Sequence, residues 1–81
     1  MTEKLDLDIE TLDVRGLLCP LPVLKARKRL STMPANAVLR IEATDPATVI
    51  DIPHYCQESG NTLLNHSEES GLHIFTLKKT G

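Results

Sequence analysis

The chain has 81 residues, which is enough for one hydrophobic core, so we predict a single domain spanning residues 1–81. Apolar residues make up 41% of the chain and charged residues 25%, a composition typical of a folded globular domain and not of a disordered one. The net charge of −2 argues against a strongly basic nucleic-acid binder, and two cysteines are too few for a disulfide-stapled secreted domain. No run of about 18 apolar residues is present, which argues against a membrane-spanning helix.

Strand and helix patterns alternate in the first half of the chain. Polar and apolar residues alternate over residues 10–14, which predicts a strand, and residues 15–19 then form a loop. Pro20 suits the first position of a helix, because its fixed φ fits there and its missing N–H is not needed. The helix is predicted to end at 34–36, and a strand at 37–43 follows it. The apolar face of this helix is predicted to contain Val23, Leu24, the stem of Arg27, Leu30 and Met33.

The second half of the chain predicts one more helix and a hairpin. Asp45-Pro46 indicates the start of a helix over residues 46–59, with Asp45 as its cap. Two strands, 62–67 and 72–78, are joined by a connection that contains glycine. Because right-handed crossovers place both helices on the same side of a sheet, the order β-α-β-α-β-β predicts an α/β (α+β) fold. We expect a two-layer sandwich whose four-stranded mixed sheet carries both helices on one face.

The segment Gly16-Leu17-Leu18-Cys19-Pro20-Leu21-Pro22 is the candidate functional site. It places Cys19 at the end of a loop and directly before a helix, where partial positive charge favours a thiolate, so we expect an exposed thiol of lowered pKa. Pro20 and Pro22, at the first and third helical positions, remove two N–H donors that a phosphate site would need. Gly16 supplies backbone freedom at the turn. An apolar collar around the sulfur is predicted from Leu17, Leu18 and Leu21.

The helix that follows Cys19 is basic. Residues 15–33 carry five basic side chains and no acidic one. Such a run is commonly a solvated helix face, but beside a reactive sulfur it is also suited to docking acidic partner surfaces and to favouring the thiolate. The candidate docking residues are Lys25, Arg27, Lys28 and Arg29.

Other chemistry has weaker support in the sequence. Cys56 is expected to be a buried helix residue, and a Cys19–Cys56 redox pair is the alternative, although the usual Cys-x-x-Cys spacing is absent. The spacing of His54 and Cys56 matches no zinc pattern, so no metal site is expected. One Tyr, one Phe and no Trp leave little for base stacking, so direct nucleic-acid binding is not expected.

The sequence resembles the TusA/SirA-like family of small sulfur carriers. The likeness rests on Leu12-Asp13-x-x-Gly16-Leu17-x-Cys19-Pro20-x-Pro22 before a basic helix, and on Asp45-Pro46-Ala47-Thr48 and Asp51-Ile52-Pro53 in the second half. It implies a carrier that holds sulfane sulfur as a persulfide on Cys19, with no other cofactor. In that family the sulfur comes from a cysteine desulfurase or similar donor and moves to an acceptor protein.

The resemblance also implies where such a carrier works. Family members serve tRNA thiolation, molybdenum-cofactor synthesis or sulfur metabolism, as sulfurtransferase-like carriers and not as stand-alone enzymes. The start of the chain, MTEKLDLDIE, lacks the basic and then apolar order of a secretory signal, so we expect a cytoplasmic protein with no membrane partner. Nothing in the sequence demands more than a monomer, and a monomer is expected. The competing hypothesis is a small regulatory or RNA-binding module with a non-catalytic cysteine.

Overall fold

Two helices and a four-stranded sheet make up the computed structural model, which describes residues 9–81. The acidic start of the chain, residues 1–8, lies outside the described residues. In chain order the elements are β1 (Ile9–Val14), α1 (Leu21–Ser31), β2 (Val38–Ala43), α2 (Thr48–Ser59), β3 (Thr62–Glu69) and β4 (Leu72–Lys78). The strand order in the sheet is β1-β2-β4-β3. The β1–β2 pair is parallel and the other two pairs are antiparallel, which confirms the predicted mixed sheet.

The core lies between one face of the sheet and the two helices. Leu39, Ile41 and Ala43 of β2 are fully buried, as the alternation predicted, and Phe75 and Leu77 of β4 are fully buried beside them. The helices cover this face with apolar side chains, while Arg40 and Glu42 pair on the open face at 3.4 Å. The helices contribute to the core Ala26, Leu30, Ile52 and Cys56.

Helix α1 starts one residue later and ends earlier than predicted. Pro20 has φ −100° and lies in the N-cap position outside the helix, so Pro22 is the second helical residue and not the third. The helix ends at Ser31, because the backbone N–H and the hydroxyl of Thr32 both donate to the Arg29 carbonyl, at 3.1 and 2.9 Å, and so tighten the last turn. The prediction that α1 would run to residues 34–36 was therefore wrong.

The predicted apolar face of α1 is confirmed only in part: Leu30 and Met33 are buried and Val23 packs against the core. Pro22, Ala26 and Leu30 are buried at a spacing of four residues, whereas Leu24 is 47% exposed and Arg27 is exposed. Leu24 is two residues from both Pro22 and Ala26, which is roughly 200° around a helix. It therefore lies on the side of α1 opposite the buried face.

Helix α2 begins after an extra turn that the sequence pattern did not show. The predicted start at Pro46 was two residues early, because the Asp45 carbonyl accepts the Thr48 N–H and hydroxyl at 3.0 and 2.7 Å before the regular helix starts. Gly60 ends α2 with φ 84°, as predicted. None of the helices within residues 9–81 has the length and hydropathy needed to cross a bilayer.

The β3–β4 hairpin is tighter than predicted. Its turn consists of Ser70 and Gly71, which have φ of 52° and 86°. Two consecutive residues in the left-handed region match the twist of paired strands. Pairing therefore continues to Glu69 and Leu72, and β3 is two residues longer than the predicted strand.

Candidate functional site

A short, heavily bonded loop connects β1 to α1. Gly16 has φ 80°, and its N–H donates to the Thr44 hydroxyl at 2.8 Å, which ties this loop to the end of β2. The Asp13 carboxylate accepts the Arg15 backbone N–H at 3.0 Å and the Arg15 Nε at 2.9 Å. These bonds lower the pKa of Asp13 to about 2. The turn is thus held at both ends before the chain reaches Cys19.

Cys19 is exposed and its backbone is fixed by Asp45. The Cys19 N–H donates to Asp45 Oδ2 at 2.7 Å, and the Ala47 N–H donates to Oδ1 of the same carboxylate at 3.0 Å. Both bonds lower the pKa of Asp45. The sequence predicted Asp45 as the cap of α2, but Ala47 is the N-cap residue and no side chain caps it; the Asp45 carboxylate instead joins the two loops that precede the two helices. It therefore positions Cys19 relative to α2.

Two carboxylates, Asp51 and Asp45, affect the pKa of the Cys19 thiol. A hydrogen bond with Asp51 raises the pKa of Cys19, and desolvation and the negative charges of Asp51 and Asp45 raise it further. The prediction of a lowered pKa was therefore wrong. The partial positive charge at the N-terminus of α1 has little effect on the thiol here. The Leu21 N–H donates to the Leu18 carbonyl at 2.8 Å, and Pro20 and Pro22 have no N–H. The resting site thus favours the thiol.

A groove of about 460 Å³ runs from Cys19 between the two helices. Val23 and Arg27, which are four residues apart on α1, form one wall of the groove. The α2 residues that form the other wall follow the spacing i, i+3, i+4, i+7. This stripe on α2 was not predicted, although its spacing is visible in the sequence. The groove is lined by Cys19, Pro20, Val23, Arg27, Asp51, His54, Tyr55, Glu58 and Ser59.

The basic residues of α1 do not form one surface around Cys19. Arg27 lines the groove, whereas Lys25, Lys28 and Arg29 line a separate depression of about 300 Å³ beside β1. Arg29 Nη1 also pairs with Glu10 Oε1 at 3.1 Å, which joins α1 to β1. Of the four predicted docking residues, the structure therefore brings only Arg27 to the candidate site.

The predicted apolar collar is present in part. Leu18 and Leu21 are 68% and 45% exposed, whereas Leu17 is half-buried and packs against the core. Ile50, beside Asp51 in the first turn of α2, is 73% exposed. Large apolar side chains left in water at the end of the fold that carries Cys19 are typical of a surface that contacts other proteins.

The second cysteine belongs to the core. Cys56 is buried and unbridged, as the sequence predicted, and burial raises its pKa. It is not among the residues that line the groove with Cys19. Within residues 9–81 no three His, Cys, Asp or Glu side chains are grouped so that they could hold a metal ion.

Comparison with known proteins identifies the family. The family model described as Sulfurtransferase TusA matches residues 10–79. The chain belongs to the TusA family. A sulfur carrier protein TusA of Allochromatium vinosum is 44% identical over 75 residues, which cover 93% of this chain and 97% of the relative. A sulfur carrier protein TusA of Pseudomonas entomophila is 42% identical over 69 residues, which cover 85% of this chain and 86% of the relative.

A solved structure supports the fold of this TusA family member. The crystal structure of a SirA-like protein from Desulfitobacterium hafniense superposes with a TM-score of 0.77 and covers 89% of this chain and 99% of that one. The two sequences are 20% identical, so the likeness is one of fold. The predicted two-layer α+β architecture is confirmed.

Replacing Asp51 should make the thiol of this TusA family member more reactive towards simple electrophiles. Asp51 raises the pKa of Cys19 through a hydrogen bond and through its negative charge, and both favour the protonated form. Asp51→Asn keeps the shape of the side chain and removes the charge. We expect the iodoacetamide reaction of Cys19 to be several-fold faster near neutral pH, with the midpoint of its pH profile moved to lower pH.

Glu58→Gln is the matched control for this measurement. Glu58 lines the same groove but is not among the causes of the raised pKa of Cys19. Its replacement should leave the pH profile in place. A midpoint that is unchanged or higher in Asp51→Asn would contradict the role assigned to that carboxylate.

Proposed function

We propose that this TusA family member is a sulfur carrier whose Cys19 accepts sulfane sulfur as a persulfide and passes it to an acceptor thiol. The observation that carries the proposal is the position of Cys19. Its thiol is exposed at one end of a groove, its N–H is fixed by Asp45, and Cys56 is buried in the core. The relatives named as sulfur carriers support this role.

Sulfur transfer in this proposal conserves atoms and electrons. The Cys19 thiolate attacks the terminal sulfur of a donor persulfide, a new Sγ–S bond forms, and the donor thiolate leaves with the electron pair of the broken bond. An acceptor thiolate then attacks the outer sulfur and releases Cys19. The raised pKa of Cys19 lowers the fraction of thiolate in the free protein, although the thiolate that does form is the stronger nucleophile.

The two cysteines of the chain have different fates under this proposal. A carrier persulfide is lost as a disulfide if a second thiol of the same chain can attack its inner sulfur. Burial of Cys56 and the raised pKa of its thiol oppose that reaction. The persulfide on Cys19 therefore remains available to a partner protein.

The proposal extends to partners and location. A cysteine desulfurase or a similar persulfide-bearing protein supplies the sulfur, and a protein with an acceptor cysteine receives it in the cytoplasm, for tRNA thiolation, molybdenum-cofactor synthesis or sulfur metabolism. The exposed leucines beside Cys19 and the groove residue Arg27 are the parts of the surface that a donor meets first. The carrier acts as a monomer and needs no cofactor of its own.

Loading by a purified donor tests the proposal. The protein is incubated with a cysteine desulfurase and cysteine, separated from the donor, and measured by intact mass and peptide mapping. We expect one adduct of about 32 Da, the mass of one sulfur atom, on the Cys19 peptide, and its removal by a reducing thiol. A protein that stays unmodified, or that carries the adduct on Cys56, would contradict the proposal.

A further inference from the structure

The groove beside Cys19 has the size and chemistry of a small-molecule site. Its volume of about 460 Å³ falls in the range of about 300–1,000 Å³ common to ligand pockets. Val23, Pro20 and Tyr55 provide apolar surface along it.

The groove is lined by charged side chains of both signs. Arg27 is exposed and forms no ion pair within residues 9–81. Glu58 pairs with His54 at 3.2 Å, but the two side chains are 69% and 65% exposed, so this pair is weak and a ligand can replace it. Asp51, the other carboxylate of the groove, raises the pKa of Cys19. Arg27 and Glu58 are therefore the groups available to a ligand that bears a carboxylate and an ammonium.

The position of Arg27 on α1 determines which end of a ligand faces Cys19. Cys19 lies two residues before α1, and Arg27 is six residues into the helix from Leu21, which is about 9 Å along its axis. Because helical side chains lean towards the helix N-terminus, the Arg27 side chain leans towards the end of α1 that follows Cys19, and both residues line the groove. A guanidinium binds a carboxylate through two parallel hydrogen bonds. A ligand held there by its carboxylate extends its other end towards Cys19.

We propose that the groove binds a low-molecular-weight persulfide bearing an α-amino acid group and presents its terminal sulfur to Cys19. Arg27 holds the carboxylate and Glu58 the ammonium. This inference rests on the proposed carrier function and names a second class of donor for it. The Cys19 thiolate attacks the terminal sulfur, the S–S bond of the donor breaks, and the small thiolate leaves and takes up the proton that Cys19 lost. No oxidant or reductant is needed.

Four probes distinguish binding from simple collision. They are the persulfides of cysteine, of 3-mercaptopropionate without the ammonium, of cysteamine without the carboxylate, and of 2-mercaptoethanol without either charge. The initial rate of Cys19 persulfidation is measured by intact mass as a function of probe concentration. We expect the rate of persulfidation to reach saturation at a lower concentration with cysteine persulfide than with the other probes. With the uncharged probe we expect the rate to rise linearly with concentration.

Arg27→Gln and Lys28→Gln form a matched pair of variants. Both remove one exposed positive charge from α1, but only Arg27 lines the groove. We expect Arg27→Gln to raise the half-saturating concentration of cysteine persulfide about tenfold, because a charge-assisted pair is lost, with the maximal rate unchanged. The same variant should leave the cysteamine probe unaffected, and Lys28→Gln should behave as the parent protein with all four probes.

Loading by a cysteine desulfurase, measured on the same preparations, separates the two proposals. A linear rate with cysteine persulfide, or equal effects of the Arg27 and Lys28 variants, overturns the small-molecule site while loading by the protein donor still supports the carrier function. A failure of both kinds of donor to load Cys19 overturns the carrier function as well.

Discussion

Cys19→Ala is expected to abolish both the loading and the release of sulfur without lowering the stability of the fold. The side chain is exposed and contributes nothing to the core. Alanine keeps the backbone N–H that donates to Asp45, so the loop retains its anchor. We expect no adduct after incubation with a donor and an unchanged midpoint of thermal unfolding, measured by intact mass and circular dichroism.

Cys56→Ala is the matched control, with the opposite pattern of effects. Cys56 is 5% exposed and packs in the core, so its truncation leaves a small cavity that costs about 1–2 kcal/mol of unfolding free energy. For a domain of this size, 1 kcal/mol lowers the melting temperature by roughly 4–8 °C. The variant should still accept one sulfur atom on Cys19. Loading that survives in Cys19→Ala, or disappears in folded Cys56→Ala, would contradict the assignment of the reactive cysteine.

Asp45→Ala should slow sulfur transfer even though Asp45 does not react. Its carboxylate accepts the N–H of Cys19 at 2.7 Å and of Ala47 at 3.0 Å, so alanine releases the reactive loop and frees the turn before α2. Small displacements of a reacting group cost large factors in rate, and we expect loading to fall by about tenfold to a hundredfold. The measurement is the single-turnover rate of persulfide formation from a protein donor.

The pH dependence gives Asp45 a second test. The two backbone hydrogen bonds lower the pKa of Asp45 in the folded protein, so its contribution to stability is present above the pKa of the unfolded chain and is lost as the pH falls through the folded one. The melting temperatures of the parent and Asp45→Ala should therefore differ near neutral pH and converge in acid. A difference that is constant down to the acid limit would contradict a role for the ionised carboxylate.

Asp45→Asn, which can accept only one of the two N–H groups through its amide oxygen, should give an intermediate transfer rate.

Local patterns predicted most of the fold, because a strand or helix is specified by its own periodicity. The alternation of β2 placed Leu39 and Ile41 in the core, and glycine at position 60 ended α2. The face of α1 could not be predicted in the same way. Leu24 and Ala26 are both apolar, and the choice between them is made by how closely the helix packs on the sheet, which a single helix does not encode.

The candidate site was predictable only in the part that lies within one segment. The loop and the helix that follow β1 were enough to single out Cys19, but its electrostatic environment comes from a different part of the chain. Asp45 and Asp51 lie 26 and 32 positions further along the chain, and both act on Cys19 only after the two loops meet. That is why the sign of the pKa shift was predicted wrongly from the helix end and the basic residues alone.

The discharge of a loaded protein tests the relay most directly. The protein is charged with ³⁵S from a cysteine desulfurase, purified, and mixed with an excess of free cysteine, and both components are followed over time. The account predicts that about one labelled sulfur per chain leaves as cysteine persulfide and that Cys19 returns to a free thiol, ready for a second loading. A label that stays on the protein, or leaves as sulfide while Cys19 forms a mixed disulfide, would contradict a carrier that passes its outer sulfur on.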